Sequence, residues 1–323
     1  MIWYKHTLWI LIASFTLLIA PANAQNTGTY TWANSEDMPT PRSEIAVATL
    51  DGRIYVAGGL LADGSTSDAF EVYDPQTNTW DTAAPLPVAL HHTAMTATDE
   101  RIYLAGGYET LAFQADVQSL WAYDAQSDSW MTLADMPAPR AAHALVALDS
   151  LVYVIGGVGP ASEQVWAYDP ETDHWNTDLA PLPTAREHLT AVALDGKIYV
   201  IGGRWQGANL ATIEAYDPAS DQWESLPDMP TARSGLTSGV VDGQIHVTGG
   251  ESLRTTQTFD EHEAYDPAAN TWATLTPLPI PRHGLNSAVI NNRWFVIGGA
   301  TGAGALTTAT LRGDVHIYGP LLP

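Results

Sequence analysis

Arg42, Arg140, Arg186, Arg233 and Arg282 each follow a short proline-containing turn, and imidazoles travel with them. His188 and His283 lie two and one residues past their arginine, and His143 lies three past Arg140. In a further turn of the same kind Leu90 takes the arginine place, followed by His91-His92. A guanidinium presents a planar fork that matches a carboxylate bidentately. Such a set has two uses. It can receive a carboxylate-bearing ligand, with Tyr108 and Trp205 stacking on it, or it can form ion pairs between neighbouring units, with Glu44 and Glu187 as nearby partners. The first use gives the candidate ligand-binding set: Arg42, His91, Arg140, Arg186, His188, Arg233, Arg282, Tyr108 and Trp205. No catalytic residue is assigned within it, although Glu44, Glu187, His143 and His188 are of the types that carry protons.

Other chemistries find little support. The histidines form no H-x-H or H-x-x-x-H pair, and adjacent residues on a strand, as His91-His92 would be, point to opposite faces. No metal and no other cofactor is expected. Acidic turns such as Asp169-Pro170-Glu171-Thr172-Asp173 lack the spacing of a calcium loop. A G-x-S-x-G elbow, an H-E-x-x-H pair and a phosphate-binding glycine loop are all missing. The chain has no cysteine, which removes thiolate metal sites, thiol nucleophiles and disulfides.

The elements that position these residues repeat. Paired glycines stand at Gly58-Gly59, Gly106-Gly107, Gly156-Gly157, Gly202-Gly203, Gly249-Gly250 and Gly298-Gly299, a period of 46 to 50 residues. A period of that size signals a stacked or radial architecture. In each unit the arginine turn leads into an apolar strand such as Ile45 to Leu50. A tight turn follows, Asp-Gly at Asp51-Gly52, Asp195-Gly196 and Asp242-Gly243, which is a strong hairpin signal. A second strand, such as Arg53 to Ala57, runs into the glycine pair. After a variable loop, a third strand ends at a tyrosine and a fourth starts at a tryptophan seven residues on: Tyr73/Trp80, Tyr123/Trp130, Tyr168/Trp175, Tyr216/Trp223 and Tyr265/Trp272. The aromatic pairs read as packing between sheets, and the glycines as places of close backbone approach or positive φ.

Four short strands, a glycine pair, then Tyr and Trp at fixed offsets resemble the kelch repeat over essentially the whole chain after its first residues. The resemblance implies an all-β, six-bladed kelch β-propeller with one four-stranded blade per repeat. The sixth unit has three strands, the last near Asp314 to Tyr318, and then the chain stops. Residues 29–33, Thr29-Tyr30-Thr31-Trp32-Ala33, lead into Met38-Pro39 as fourth strands do elsewhere. They are expected to complete the last blade and remove the unpaired edges. Alternating strand direction puts the arginine turns and the variable loops on one face, which is the usual binding face of kelch propellers. The resemblance therefore implies a binding role there for the five arginines. Exported kelch proteins also include copper radical oxidases, whose cofactor needs a cysteine that is absent here. They include as well a six-bladed sialic-acid epimerase or mutarotase type, the alternative function for this chain.

Residues 1–24 read as a cleaved signal peptide: Lys5, an apolar run from Leu8 to Ala20, and Ala22-Asn23-Ala24 before Gln25. The mature chain would be a single domain, 25–323, in the periplasm or outside the cell, with no membrane span. It holds 12 basic and 36 acidic residues, a net charge of −24. Such a surface repels nucleic acid and anionic lipid. The expectation is a monomer that binds a protein or glycan ligand through the arginine-bearing loop face.

Overall fold

In the computed structural model, residues 30–160, 162–304 and 311–320 are described; the leader at 1–24 lies outside them. Among the described residues there are strands and turns but no helix, and none that could cross a membrane as one. Six antiparallel sheets of four main strands follow one another; the fifth also carries the short strand Gln257–Thr258, and Arg204–Trp205 pairs with Ala208–Asn209 in a separate two-stranded ribbon. Blade 1 comprises Ala46–Leu50, Arg53–Ala57, Phe70–Asp74 and Thr79–Thr82. Blade 2 comprises Ala94–Ala97, Ile102–Ala105, Leu120–Asp124 and Ser129–Thr132. Blade 3 comprises Ala144–Leu148, Leu151–Ile155, Trp166–Asp169 and His174–Asn176. Blade 4 comprises Thr190–Leu194, Lys197–Ile201, Ile213–Asp217 and Gln222–Ser225. Blade 5 comprises Ser234–Val241, Gln244–Ser252, His262–Asp266 and Thr271–Thr274. Blade 6 comprises Asn286–Ile290, Arg293–Ile297 and Val315–Pro320, and it is completed by Tyr30–Asn34 from the other end of the chain.

The closing pair runs antiparallel with Trp32 opposite Tyr318 and Asn34 opposite His316. This copies the register of Tyr73 opposite Trp80 in blade 1. Each fourth-strand tryptophan also ties its blade to the previous one. The Trp130 Nε1–H donates to the Ala84 carbonyl at 3.0 Å, Trp223 to Ala180 at 3.0 Å and Trp32 to Thr276 at 2.9 Å. The tyrosine hydroxyls hold the outer turns, as Tyr168 does by donating to Asp173 at 2.7 Å. The Asp-Gly hairpins have both residues at positive φ, 51° and 73° at Asp51-Gly52, the two-residue turn that matches strand twist.

The glycine pairs latch blade to blade. The second glycine of each pair donates its N–H to the carbonyl at the arginine position of the next blade. Gly59 reaches Leu90 at 2.8 Å, Gly107 reaches Arg140 at 2.8 Å, and Gly299 closes the circle on Arg42 at 2.9 Å. At Gly106 φ is +58°, and a Cβ there would collide with the Arg140 carbonyl. The pair is thus glycine because neighbouring backbones meet at that point. Apolar clusters fill the spaces between adjacent blades, for example Tyr103, Leu120 and Met136 of blade 2 against Val152, Val154 and Tyr168 of blade 3. The first strands line a central cavity of about 350 Å³ with small side chains, among them Thr96, Ala147, Ala193 and Ser287.

Candidate functional site

The loop-face mouth is built in tiers, one residue per blade. The first tier is the arginine position. Arg42, Arg140, Arg186, Arg233 and Arg282 are all fully buried, and their partners lie within their own blades. Arg42 donates to Glu71 at 2.7 Å and Arg233 to Glu263 at 2.8 Å, and Arg186 pairs with Glu214. Arg140 lies over the Trp166 ring at 4.1 Å and donates to the Gly156 carbonyl at 2.8 Å. Arg282 donates to His316 Nδ1 at 3.2 Å and to the Val296 carbonyl at 3.2 Å. Burial pushes Arg140 and Arg282 down to about 10, so both stay charged near neutrality. The partner residue always stands two before the third-strand tyrosine: Glu71, Trp166, Glu214, Glu263 and His316. Where Leu90 replaces the arginine, Trp121 takes that place in the same apolar cluster. The arginines fasten the entry turn of each blade to its second and third strands. They do not bridge blades through Glu44 and Glu187, and no guanidinium of this tier faces solvent.

The second tier, one residue on, pairs with the residue that follows the glycine pair. Ser43 bridges Leu60, His91 bridges Tyr108, Ala141 bridges Val158, Glu187 bridges Arg204 and His283 bridges Ala300. Ser234 and Glu251 make the same pair inside the extended strands of blade 5.

The third tier closes a ring around the axis. Glu44, His92, Ala142, His188, Gly235 and Gly284 all have left-handed backbones, with φ between 51° and 64°. Each donates its N–H to the carbonyl of the ring residue in the preceding blade. The distances are 3.1 Å for His92 to Glu44, 2.9 Å for Ala142 to His92, 2.9 Å for His188 to Ala142, 2.9 Å for Gly235 to His188, 3.1 Å for Gly284 to Gly235 and 2.7 Å for Glu44 to Gly284. Each single left-handed residue costs about 1–2 kcal/mol when it carries a Cβ. Four side chains are nonetheless carried on this ring, three of them ionisable.

Those side chains meet. The His92 Nε2 lies 3.3 Å from a Glu44 oxygen, and His283 Nδ1 lies 3.4 Å from Glu44 and 3.4 Å from Glu251. His188 Nδ1 contacts Glu187, and the His92 and His188 rings stand edge to face at 4.8 Å. Arg204 links Glu187 at 2.7 Å to Glu251 at 2.7 Å. His91 Nε2 reaches the Thr110 carbonyl at 3.1 Å, and its Nδ1 reaches His92 Nδ1 at 2.6 Å. The two adjacent histidines therefore touch. The rule that neighbours point apart holds on a strand, and His92 at φ +52° has left the strand conformation.

Burial lowers His92 to about 4 and holds His188 well below its ordinary value, with Arg204 adding to the effect on His188. Burial pushes Glu44 up, but the surrounding imidazoles outweigh it and keep the carboxyl well below its usual range. Burial also opposes charge on His283, yet Glu44 and Glu251 together raise it. Glu187 and Arg204 connect the cluster to solvent. Exposed Phe113, Trp205 and Leu253 stand on the loops around it. Tyr108 is buried against His91 and Phe113.

Of the sequence candidates, then, the mouth collects His91, His188 and Trp205, while the five arginines and Tyr108 serve the interior. His92, Glu44, Glu187, Arg204, Glu251 and His283 complete the cluster. Their signal in sequence was position: each lies one or two residues past the arginine position, which Leu90 holds ahead of His92, or directly after the glycine pair.

The KLHDC2/KLHL20/DRC7 Kelch-repeats domain family matches the chain over residues 22–181 and 134–299. No curated protein matches it. A solved structure titled "Structure of YjhT" superposes with a TM-score of 0.74 at 17% identity, covering 88% of this chain and 96% of that one. That likeness concerns the fold. The repeat match spans most of the six blades, and the chain belongs to the kelch-repeat family.

Proposed function

We propose that this protein is an exported kelch propeller that binds a small polar ligand, of the glycan class, at the axial mouth of its loop face. The observation that carries this reading is the hydrogen-bonded ring, which gathers Glu44, His92 and His188 on the axis at a cost in backbone strain. Glu187, Arg204, Glu251 and His283 surround them and supply further donors and acceptors. A concave polar site with exposed aromatic side chains nearby suits a sugar better than a flat protein surface. Three carboxylates outnumber the guanidinium of Arg204 and the one imidazole whose pKa is raised. This balance favours a neutral sugar over an acidic one. Export rests on the leader at residues 1–24.

A second reading is catalytic. Glu44 lies between His92 and His283, so a carboxylate stands beside an imidazole whose protonated form Glu44 and Glu251 favour. That is the pair needed to move protons at the anomeric centre of a sugar, and it supports an epimerase or mutarotase activity on a neutral sugar, where the alternative read from the sequence was an acidic-sugar one.

The two sugar classes are separated by titrating the protein at low salt with neutral hexoses and with uronic or sialic acids, following tryptophan fluorescence. Saturable quenching by a neutral sugar is expected. Binding of acidic sugars alone, weakened by salt, would overturn the assignment of ligand class.

A further inference from the structure

A smaller axial cavity of about 80 Å³ lies at the level of the ring, lined by Glu44, His92, His143 and His188 together with ring backbone. One donor atom from each of Glu44, His92 and His188 lies within 4.8 Å of the others. His143 is buried, lines the same cavity, and neither of its ring nitrogens has a hydrogen-bond partner among the described residues.

The hydrogen-bond chain fixes tautomers. His91 Nε2 faces a carbonyl, so it carries a proton and donates to Thr110. In a neutral His91, Nδ1 is then an acceptor, and His92 Nδ1–H donates to it at 2.6 Å. A neutral His92 is left with a bare lone pair on Nε2, and that lone pair faces the Glu44 carboxylate at 3.3 Å. Two acceptors in contact repel unless a positive species lies between them. A proton on His92 would place an imidazolium on a side chain that is almost wholly buried. A metal cation between them resolves the repulsion.

We propose that Glu44, His92 and His188 form a binding site for a divalent transition-metal ion of the zinc class, with His143 and water available for the remaining position. Two imidazoles and one carboxylate are the donor set of an open zinc site. They favour zinc, cobalt or nickel over calcium, which takes all-oxygen shells. Donor atoms around tetrahedral zinc, with bonds of about 2.0–2.1 Å, stand about 3.4 Å apart. The His92 to Glu44 distance already matches, and small side-chain rotations would draw in His188. The second shell is present as well. His91 orients His92, and Glu187 accepts from His188 Nδ1–H, leaving His188 Nε2 to turn inward. Arg204 Nη2 now lies 3.1 Å from that nitrogen. Arg204 would keep its bonds to Glu187 and Glu251 on releasing it. With the ion bound, Glu44 is a ligand and cannot serve as a base. The site stands independently of whether a glycan binds above it.

The test uses the untagged protein, stripped with chelator and then titrated with Co²⁺ and Zn²⁺. One equivalent of Co²⁺ should give the visible bands of a four- or five-coordinate ion, displaced by Zn²⁺ but not by excess Ca²⁺. His92→Asn and Glu44→Gln should each weaken binding about 100-fold, while His246→Asn, at a buried histidine far from the ring, should leave it unchanged. Circular dichroism checks that each variant is folded. Even if the ring variants fail to fold, the spectrum of the unmutated protein decides. Absence of stoichiometric binding, a weak octahedral spectrum, or displacement by Ca²⁺ would overturn the proposal and leave a proton between His92 and Glu44.

Discussion

The Glu44 N–H donates to the Gly284 carbonyl at 2.7 Å, across the seam where the last blade meets the first. One hydrogen bond thus joins residues 240 positions apart, closes the axial ring and fixes the carboxylate at the centre of the mouth. Architecture and site coincide here, because the ring that completes the propeller also carries Glu44, His92 and His188.

Gly284 has φ +60°, and a Cβ there would lie 2.6 Å from a Glu44 oxygen. Gly284→Ala should lower stability by about 1–2 kcal/mol from backbone strain alone, and should displace Glu44 as well. A urea melt measures the first effect. An unchanged midpoint would mean that the ring relaxes freely.

The Arg186–Glu214 pair is fully buried. Removing one partner from such a pair costs about 3–5 kcal/mol, because the other charge is left unpaired in the interior. Arg186→Met and Glu214→Leu should each destabilise strongly, and the double variant should recover much of the loss. If Arg186→Met melted like the unmutated protein, the arginine tier would not fasten the entry turns of the blades.

Much of this fold was legible in the sequence because it is periodic. Gly58-Gly59 through Gly298-Gly299, and Tyr73/Trp80 with its repeats, mark contacts that every blade must make, so their spacing shows six blades. Residues 29–33 could be read as the missing strand for the same reason; Thr29 lies outside the described residues, and the observed strand, Tyr30–Asn34, runs one residue further at its end. The site was only partly legible. Arg42 and its equivalents form the same pattern whether they face a ligand or the interior, and proximity in sequence suggested Glu44 and Glu187 as partners. The deciding signal lay about thirty residues downstream, where Glu71, Glu214 and Glu263 occupy the arginine's partner position and Trp121 appears opposite Leu90. The ring escaped detection because a left-handed conformation at a glutamate or histidine leaves no mark in a single sequence.

Residues 30–34 supply a whole strand, the Trp32 bond to Thr276 and aromatic contacts with Trp294 and Tyr318. A chain beginning at residue 35 should melt at markedly lower temperature and associate through the opened edge. Differential scanning calorimetry with light scattering checks both, and unchanged melting would contradict closure by this strand.

A second group of buried histidines lies between blades 5 and 6. His246 Nδ1 and His262 Nε2 are 2.8 Å apart, and His262 and His316 both pack against Trp32. Burial depresses all three, to about 4, about 3 and about 4 respectively. An unfolded histidine titrates near 6.5. The folded state therefore resists protonation that the unfolded chain accepts, and the stability is complete above about pH 6.5. It should be lost progressively as pH falls from there toward about 3–4. Denaturant midpoints between pH 7.5 and 4 should fall, and less steeply in His246→Leu. Equal slopes in the two proteins would place the acid sensitivity elsewhere.

Variants on the two faces of the propeller locate the ligand. Calorimetric titration with the neutral sugar that gives the strongest fluorescence response should be run on the unmutated protein, Glu187→Gln, Trp205→Ala and Lys197→Ala. Lys197 begins the second strand of blade 4, beside the Asp195-Gly196 hairpin on the opposite face. Losses of at least tenfold, about 1.4 kcal/mol, are expected in Glu187→Gln and Trp205→Ala, with Lys197→Ala unchanged. Equal affinities in all four proteins would contradict a binding site at the axial mouth.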